Sequence, residues 1–239
     1  MATVGILYPG HSAEDDFAVL ESHAHPTLRL PVAITTVGED AHRVDALLDL
    51  GRTERLTDGV ARLGPTRPDS MMWACTSGSF VFGRDGARRQ ADDVAAAAGV
   101  PASSTSIAFV DALQYLGIRR VAVAASYPEE VAAHFVAFLS GDGVDVVSAG
   151  SHGIVTAAEV GRLEPGTVTA MVRAADHPEA DAVLVPDTAM HTLGFIDELE
   201  SAIGKPVLTA NQVTVWKGLA LIGSVPPIPG LGRLFGAAR

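Results

Sequence analysis

Cysteine is almost missing: Cys75 stands alone in 239 residues. That excludes an intrachain disulfide and a cysteine-built zinc site. Positive charge is scarce too, with 17 Lys and Arg against 28 Asp and Glu and a formal net charge of −11. This balance leaves no electrostatic footprint for nucleic acid or an anionic membrane surface. No run of about 18 uninterrupted apolar residues occurs, so no transmembrane helix is expected. The first residues, MATVGILYPGHSAEDDF, have no cationic segment and meet acids where an apolar signal core would continue. A cytoplasmic location is therefore expected. Neither G-x-G-x-x-G nor a Walker pattern is present, so dinucleotide and nucleotide phosphates lack their usual cradle. What remains is a chain of 48% hydrophobic and 19% charged residues. It can fill a core, as one large or two small domains.

Short apolar runs alternate with amphipathic stretches. Residues 4–8, 30–35, 70–74, 121–125, 144–148, 182–185 and 206–208 read as strands. Several lack polar alternation, which suits strands covered on both faces. Residues 84–98, 107–116, 129–139 and 167–175 read as helices. The order predicts an α/β fold of parallel sheets, with right-handed crossovers and a ligand site beyond the carboxyl ends of the strands. The chain also repeats itself. Val4-Gly-Ile-Leu-Tyr-Pro is echoed by Val121-Ala-Val-Ala-Ala-Ser-Tyr-Pro, and Met72-Trp-Ala-Cys-Thr by Leu184-Val-Pro-Asp-Thr. Gly99-Val-Pro-Ala-Ser-Ser-Thr, opening a helix, is echoed by Gly204-Lys-Pro-Val-Leu-Thr-Ala. Three echoes in one order predict a duplication: two pseudo-symmetric Rossmann-like (flavodoxin-like) lobes, residues 1–110 and 111–212, with the site in the cleft between them. Helices 107–116 and 213–222 are expected to cross to the opposite lobe, and the segment 213–239, ending in a Pro- and Gly-rich arm, to pack on the first.

Under that symmetry Cys75-Thr76-Ser77-Gly78-Ser79 and Asp187-Thr188-Ala189-Met190-His191-Thr192 are equivalent strand ends. Each enters a hydroxyl-bearing turn before an expected helix, a receptor for a carboxylate. The same field favours a thiolate on Cys75 and an ionised Asp187. One acid and one base on opposite faces of a bound carbon is what proton transfer there requires. A cysteine at a strand end is otherwise a small buried residue, and an Asp before Thr a helix cap; their equivalence under the repeat favours catalysis. Tyr8 and Tyr127 end equivalent first strands, each before a proline. His191 could orient Asp187 or contact substrate. His23, His25 and His42 have no ligand-spaced partners and are expected in a solvated loop. Glu14, Asp15 and Asp16 are expected to start a helix. No Arg or Lys lies in either turn, so neutral donors would hold a carboxylate.

Trp73-Ala-Cys-Thr-Ser-Gly-Ser-Phe, Ala124-Ala-Ser-Tyr-Pro-Glu-Glu-Val and Gly153-Ile-Val-Thr resemble the aspartate/glutamate racemase superfamily, more narrowly its maleate isomerase and arylmalonate decarboxylase branch. The resemblance covers roughly residues 3–222 and implies a cofactor-free enzyme of two Rossmann-like lobes, in a branch that often forms homo-oligomers. It implies that Cys75 matches the first-lobe cysteine that maleate isomerases use as nucleophile on the substrate double bond. Asp187 falls where their second cysteine, the proton donor, would be. Arylmalonate decarboxylases lack the first cysteine and use the second. The asparagine of maleate isomerases near the first loop is replaced by Gly10-His11-Ser12, whereas Tyr127 matches the tyrosine that contacts the substrate carboxylate. The expectation is an isomerase of a small carboxylic acid, with Cys75 and Asp187 catalytic. Thr76, Ser77, Gly78, Ser79, Tyr127, Thr188, Tyr8 and His191 are expected to bind substrate. A malonate-type decarboxylase, a racemase or epimerase, and a non-catalytic two-lobed binding protein stay open.

Overall fold

The structure is a computed structural model that describes residues 1–10, 12–24, 26–223 and 225–236. Its first half runs β1 (Ala2–Pro9), α1 (Asp15–Ala24), β2 (Leu28–Arg29), β3 (Val32–Thr35), α2 (Val44–Leu50), α3 (Thr53–Leu63), β4 (Ser70–Trp73), α4 (Ser77–Phe80), α5 (Gly83–Ala98), β5 (Ala102–Ser104) and α6 (Thr105–Leu116). The second runs β6 (Arg120–Ala125), α7 (Glu129–Gly141), β7 (Asp145–Ser151), α8 (Ala157–Val160), α9 (Pro165–Ala175), β8 (Ala182–Val185), α10 (Ile196–Ile203), β9 (Val207–Thr209) and α11 (Ala210–Leu221), and α12 (Gly232–Gly236) follows.

Both sheets are parallel throughout, with strand orders β2-β1-β4-β5 (β3 also pairing with β1) and β7-β6-β8-β9. In each lobe the order reverses beside its first strand. Equivalent crevices thus open beyond β1/β4 and β6/β8, where such sheets bind ligands. Two strand expectations need correction. The run 30–35 is not one strand: Pro31, which has no N–H to donate, separates β2 from β3. Ala102–Ser104 is a strand ahead of α6, although its polar sequence reads as a helix opening; it pairs with buried β4.

Alternation along the strands divides the core. Val4, Ile6 and Tyr8 of β1 and Val121, Val123 and Ala125 of β6 face one interlobe cluster, with Leu184, Leu208, Val213 and Trp216. Leu7, Met71 and Trp73 face α3 and α5, and Val183 and Val185 face α9 and α10, in separate outer clusters. Helix α11 packs on α6 and on β4, β5 and β1, across the lobe boundary. Ser70 Oγ donates to the Gly218 carbonyl at 2.8 Å. A Cβ on Gly218 would collide with Val4 Cγ1 and lie 3.3 Å from Met72 Cγ. Gly218→Val is therefore expected to cost about 3 kcal/mol through overpacking; an unchanged urea midpoint would show that α11 does not need this close approach.

The chain beyond α11 does not stay on the first lobe as expected. Helix α12 docks on α10 of the second: the Gly232 N–H bonds Asp197, the Arg233 N–H bonds Glu200, and the Arg233 guanidinium reaches the Gly204 carbonyl. Two carboxylates of α10, the exposed Asp197 and the buried Glu200, supply the acceptors that hold it there.

Candidate active site

Strand β4 is wholly buried, and its parallel pairing continues through the Ala74 N–H to the Leu7 carbonyl. The chain then turns sharply at Cys75 and Thr76 into α4. Gln90 ties that turn down by donating to the Gly78 and Gly51 carbonyls at 2.9 and 2.7 Å. The Gly78 N–H donates to Cys75 Sγ at 3.2 Å, and Ser77 Oγ lies 3.9 Å from the sulfur. These donors favour a thiolate, as expected from the turn, but burial outweighs them. Desolvation, helped slightly by the charge of Asp187, pushes the Cys75 thiol up to about 12. Burial therefore opposes the thiolate that the turn favours.

On the other side β8, also wholly buried, ends before Pro186. Asp187 Oδ1 accepts the Ala189 N–H at 3.0 Å, and Oδ2 accepts the hydroxyl of Ser126 in a short hydrogen bond. No helix follows directly: the side chain caps its own turn, and the chain stays irregular until α10. Two tyrosines bracket this turn. Tyr127 donates to the Pro186 carbonyl at 2.8 Å, and Tyr8 to the Thr188 carbonyl at 2.9 Å. Burial pushes both phenols upward, and the negative charge of Asp187 adds to it. They are neutral O–H groups throughout the ordinary pH range. Thr76 Oγ1, fully buried, has no hydrogen-bond partner of good geometry. Such an orphan costs about 1–3 kcal/mol until something pairs with it.

The third wall is an irregular strap, residues 36–43, reaching from the first lobe onto the second. Asp40 accepts the Ala157 and Ala158 N–H groups at 2.8 and 3.1 Å. The His42 N–H donates to the Val155 carbonyl at 2.7 Å, and its Nδ1 lies 2.8 Å from the Ile154 carbonyl. The ring stands edge-on to Tyr127, with centroids 4.9 Å apart, and Nε2 is 3.9 Å from Asp187 Oδ2. His42 is thus buried at the site, a correction to the expected solvated loop. His23 is exposed at the end of α1, and His25 lies outside the described residues. Further ties close the lobes on each other: Asp16 of α1, expected only to start the helix, accepts the Thr192 and Leu193 N–H groups.

Cys75, Ser77, Asp187, Thr188 and Tyr8 line one cavity of about 40 Å³ together with His42, Ser12 and Leu47. Tyr127 stands behind it, against His42. Thr76 is fully buried and does not line it either, and three more expected residues are elsewhere. Ser79 hydrogen-bonds Ser104 and Ser106 beneath α4, because two steps along a helix turn a side chain to another face. Gly78 spends its N–H on the sulfur rather than on a ligand. His191 points outward to Asp15, at 2.8 Å. Sequence reasoning missed His42 and Ser126. The latter stood in the echo beside Tyr127; nothing local marked His42. Among the described residues, no Arg or Lys lines the cavity.

The model of the arylmalonate decarboxylase family matches residues 52–235. Arylmalonate decarboxylase of Bordetella bronchiseptica is 33% identical over 142 residues, 58% of this chain and 59% of that protein. A maleate isomerase of Geobacillus stearothermophilus is 29% identical over 135 residues, 56% of this chain and 54% of the other. The chain thus matches between half and two thirds of the length of these curated relatives. Among solved structures, a liganded double mutant of arylmalonate decarboxylase superposes with a TM-score of 0.84 at 25% identity, over 98% of this chain and 99% of the other. A maleate isomerase from Pseudomonas putida S16, solved with maleate, has a TM-score of 0.90 over 99% and 98%. At 20% identity that likeness is one of fold.

Proposed function

Because the chain belongs to the arylmalonate decarboxylase family, we propose that it is a cofactor-independent isomerase. Its substrate is a small unsaturated carboxylic acid of the maleate type, and its reaction is cis–trans isomerisation. One observation carries the reading: Cys75 from the first lobe and Asp187 from the second line the same small cavity. A nucleophile and an acid–base group then meet neighbouring carbons of one bound molecule. Maleate isomerases among the relatives support it, as does a like-folded maleate cis-trans isomerase of Nocardia farcinica solved with a covalently bound succinylcysteine intermediate.

The chemistry follows from the residues. Ser77, which lines the cavity, and the neighbouring Thr76 offer hydroxyl donors to a substrate carboxylate, and Thr76 Oγ1 gains a partner when it binds. As Cys75 gives up its proton across the cavity, the sulfur adds to one olefinic carbon. The π pair moves to the neighbouring carbon, delocalised into a carboxylate held by those donors, and a proton from the Asp187 side closes it. The former double bond is now single and rotates. Reversal of the steps releases the trans acid. A cavity of about 40 Å³ has the volume of one water or little more, so the strap 36–43 has to move aside before an acid enters.

The same reading makes the protein a cytoplasmic homo-oligomer that binds neither nucleic acid nor membrane. The net charge of −11 counts against nucleic acid and anionic membranes as partners, and among the described residues no helix is long and apolar enough to cross a membrane. A proton NMR screen of unsaturated and malonate-type acids in heavy water, run with the parent and Cys75→Ala, tests the reaction. The expected result is conversion of a cis acid to its trans partner by the parent alone. Carbon dioxide release with uptake of one deuteron, and no isomerisation, would replace this reading with decarboxylation.

A further inference from the structure

Asp187 has a neighbour that the reaction above leaves unused. His42 Nδ1 faces the Ile154 carbonyl at 2.8 Å. A carbonyl oxygen only accepts, so Nδ1 carries the hydrogen and the neutral ring has a bare lone pair on Nε2. That lone pair faces Asp187 Oδ2 at 3.9 Å. The carboxylate is itself supplied with donors, Ser126 on Oδ2 and the Ala189 N–H on Oδ1. At 3.9 Å the two atoms are too far apart to share a proton, but close enough for a protonated ring to pair with the carboxylate. Among the described lining residues there is no Arg or Lys, and His42 is the one side chain there that can become a cation. The other ionisable groups facing the ring are Cys75, Tyr127 and Tyr8, with Glu39 and Asp40 on its own strap.

We propose that His42 is a further catalytic residue, which carries a proton between Cys75 Sγ and the substrate carbon with Asp187 as its counter-ion. The proposal rests on the isomerase reading for its substrate. The step balances. The thiol proton moves to Nε2 while Sγ bonds to one olefinic carbon and the π pair shifts to its neighbour. That carbon takes the proton from Nε2, leaving a saturated thioether and a neutral ring. After rotation Nε2 removes a proton from the same carbon, the double bond re-forms, the sulfur leaves with its pair and recovers the proton. Nothing is oxidised, and Asp187 serves as counter-ion while the ring is charged.

The test needs no substrate. Cys75 is alkylated with iodoacetamide from about pH 5 to pH 10 in the parent and in His42→Asn, and mass spectrometry follows the Cys75 peptide. The asparagine amide can keep the bond to the Ile154 carbonyl but has no Nε2. In the parent the rate profile is expected to show a limb below the alkaline range of the buried thiol, where Nε2 takes the proton as the sulfur is alkylated. In His42→Asn that limb disappears, and at pH 7 alkylation falls about tenfold relative to its alkaline rate. A loosened strap would scale the rate at every pH without changing the shape. Profiles of one shape in both proteins overturn the proposal. A lost limb in a protein that isomerises no acid upholds the His42–Asp187 unit and overturns the isomerase reading instead.

Discussion

Cys75→Ser is expected to lose turnover by at least about a thousandfold while the protein stays folded. Sulfur and oxygen fit the same place: the residue is buried, and the Gly78 N–H that donates to Sγ also suits a hydroxyl. The change therefore removes nucleophilicity and little else. An alcohol is a far weaker nucleophile toward an olefinic carbon, and its burial makes ionisation harder still. The comparison pairs steady-state rates with thermal melting. A serine variant retaining more than a few per cent of the parental rate, at an unchanged melting temperature, would remove Cys75 from covalent catalysis.

Asp187→Asn should slow the reaction about 10²- to 10⁴-fold, the range that a positioned acid–base group contributes, and it should leave a trace on Cys75. The amide oxygen can still accept the Ala189 N–H, and the amide N–H₂ can donate to Ser126, so the local geometry is retained. What is lost is the charge that holds a proton in the cavity. Addition of sulfur followed by slow protonation from water then leads to a thioether that cannot readily lose its proton again. Mass spectrometry of the Cys75 peptide is expected to find one substrate mass added. Full activity with no adduct at any time point would mean that the carboxylate only caps its own turn.

Both expectations depend on residues whose chemistry is visible at different levels. The runs that became β4 and β8 are apolar without alternation, because both faces of a central parallel strand are covered. Burial of such a run is a property of its own composition. The echo around Tyr8 and Tyr127, Cys75 and Asp187 likewise survives in the chain, since each copy has to end the same kind of strand. Ala102–Ser104 carries no such mark. It becomes a strand only because β4 offers it an edge. Ser77 and Ser79 look alike in the turn, and only the winding of α4 sends one to the cavity and the other beneath it.

His42 and the thiol show the other limit. The strap reaches the site through bonds to Ile154, 112 residues away, so no local pattern could announce it. For Cys75 the neighbouring N–H groups pull toward a thiolate, but desolvation pulls harder, and desolvation is set by every element packed around the sulfur. Read alone, the chain determines two duplicated parallel lobes and the pair of strand ends that face each other, because apolar patterning and repetition are local. Tertiary structure alone decides which hydroxyls reach the cavity, that a histidine joins it, and that burial opposes the thiolate. Those outcomes depend on distance and water exclusion, which arise only when segments far apart in the chain are brought together.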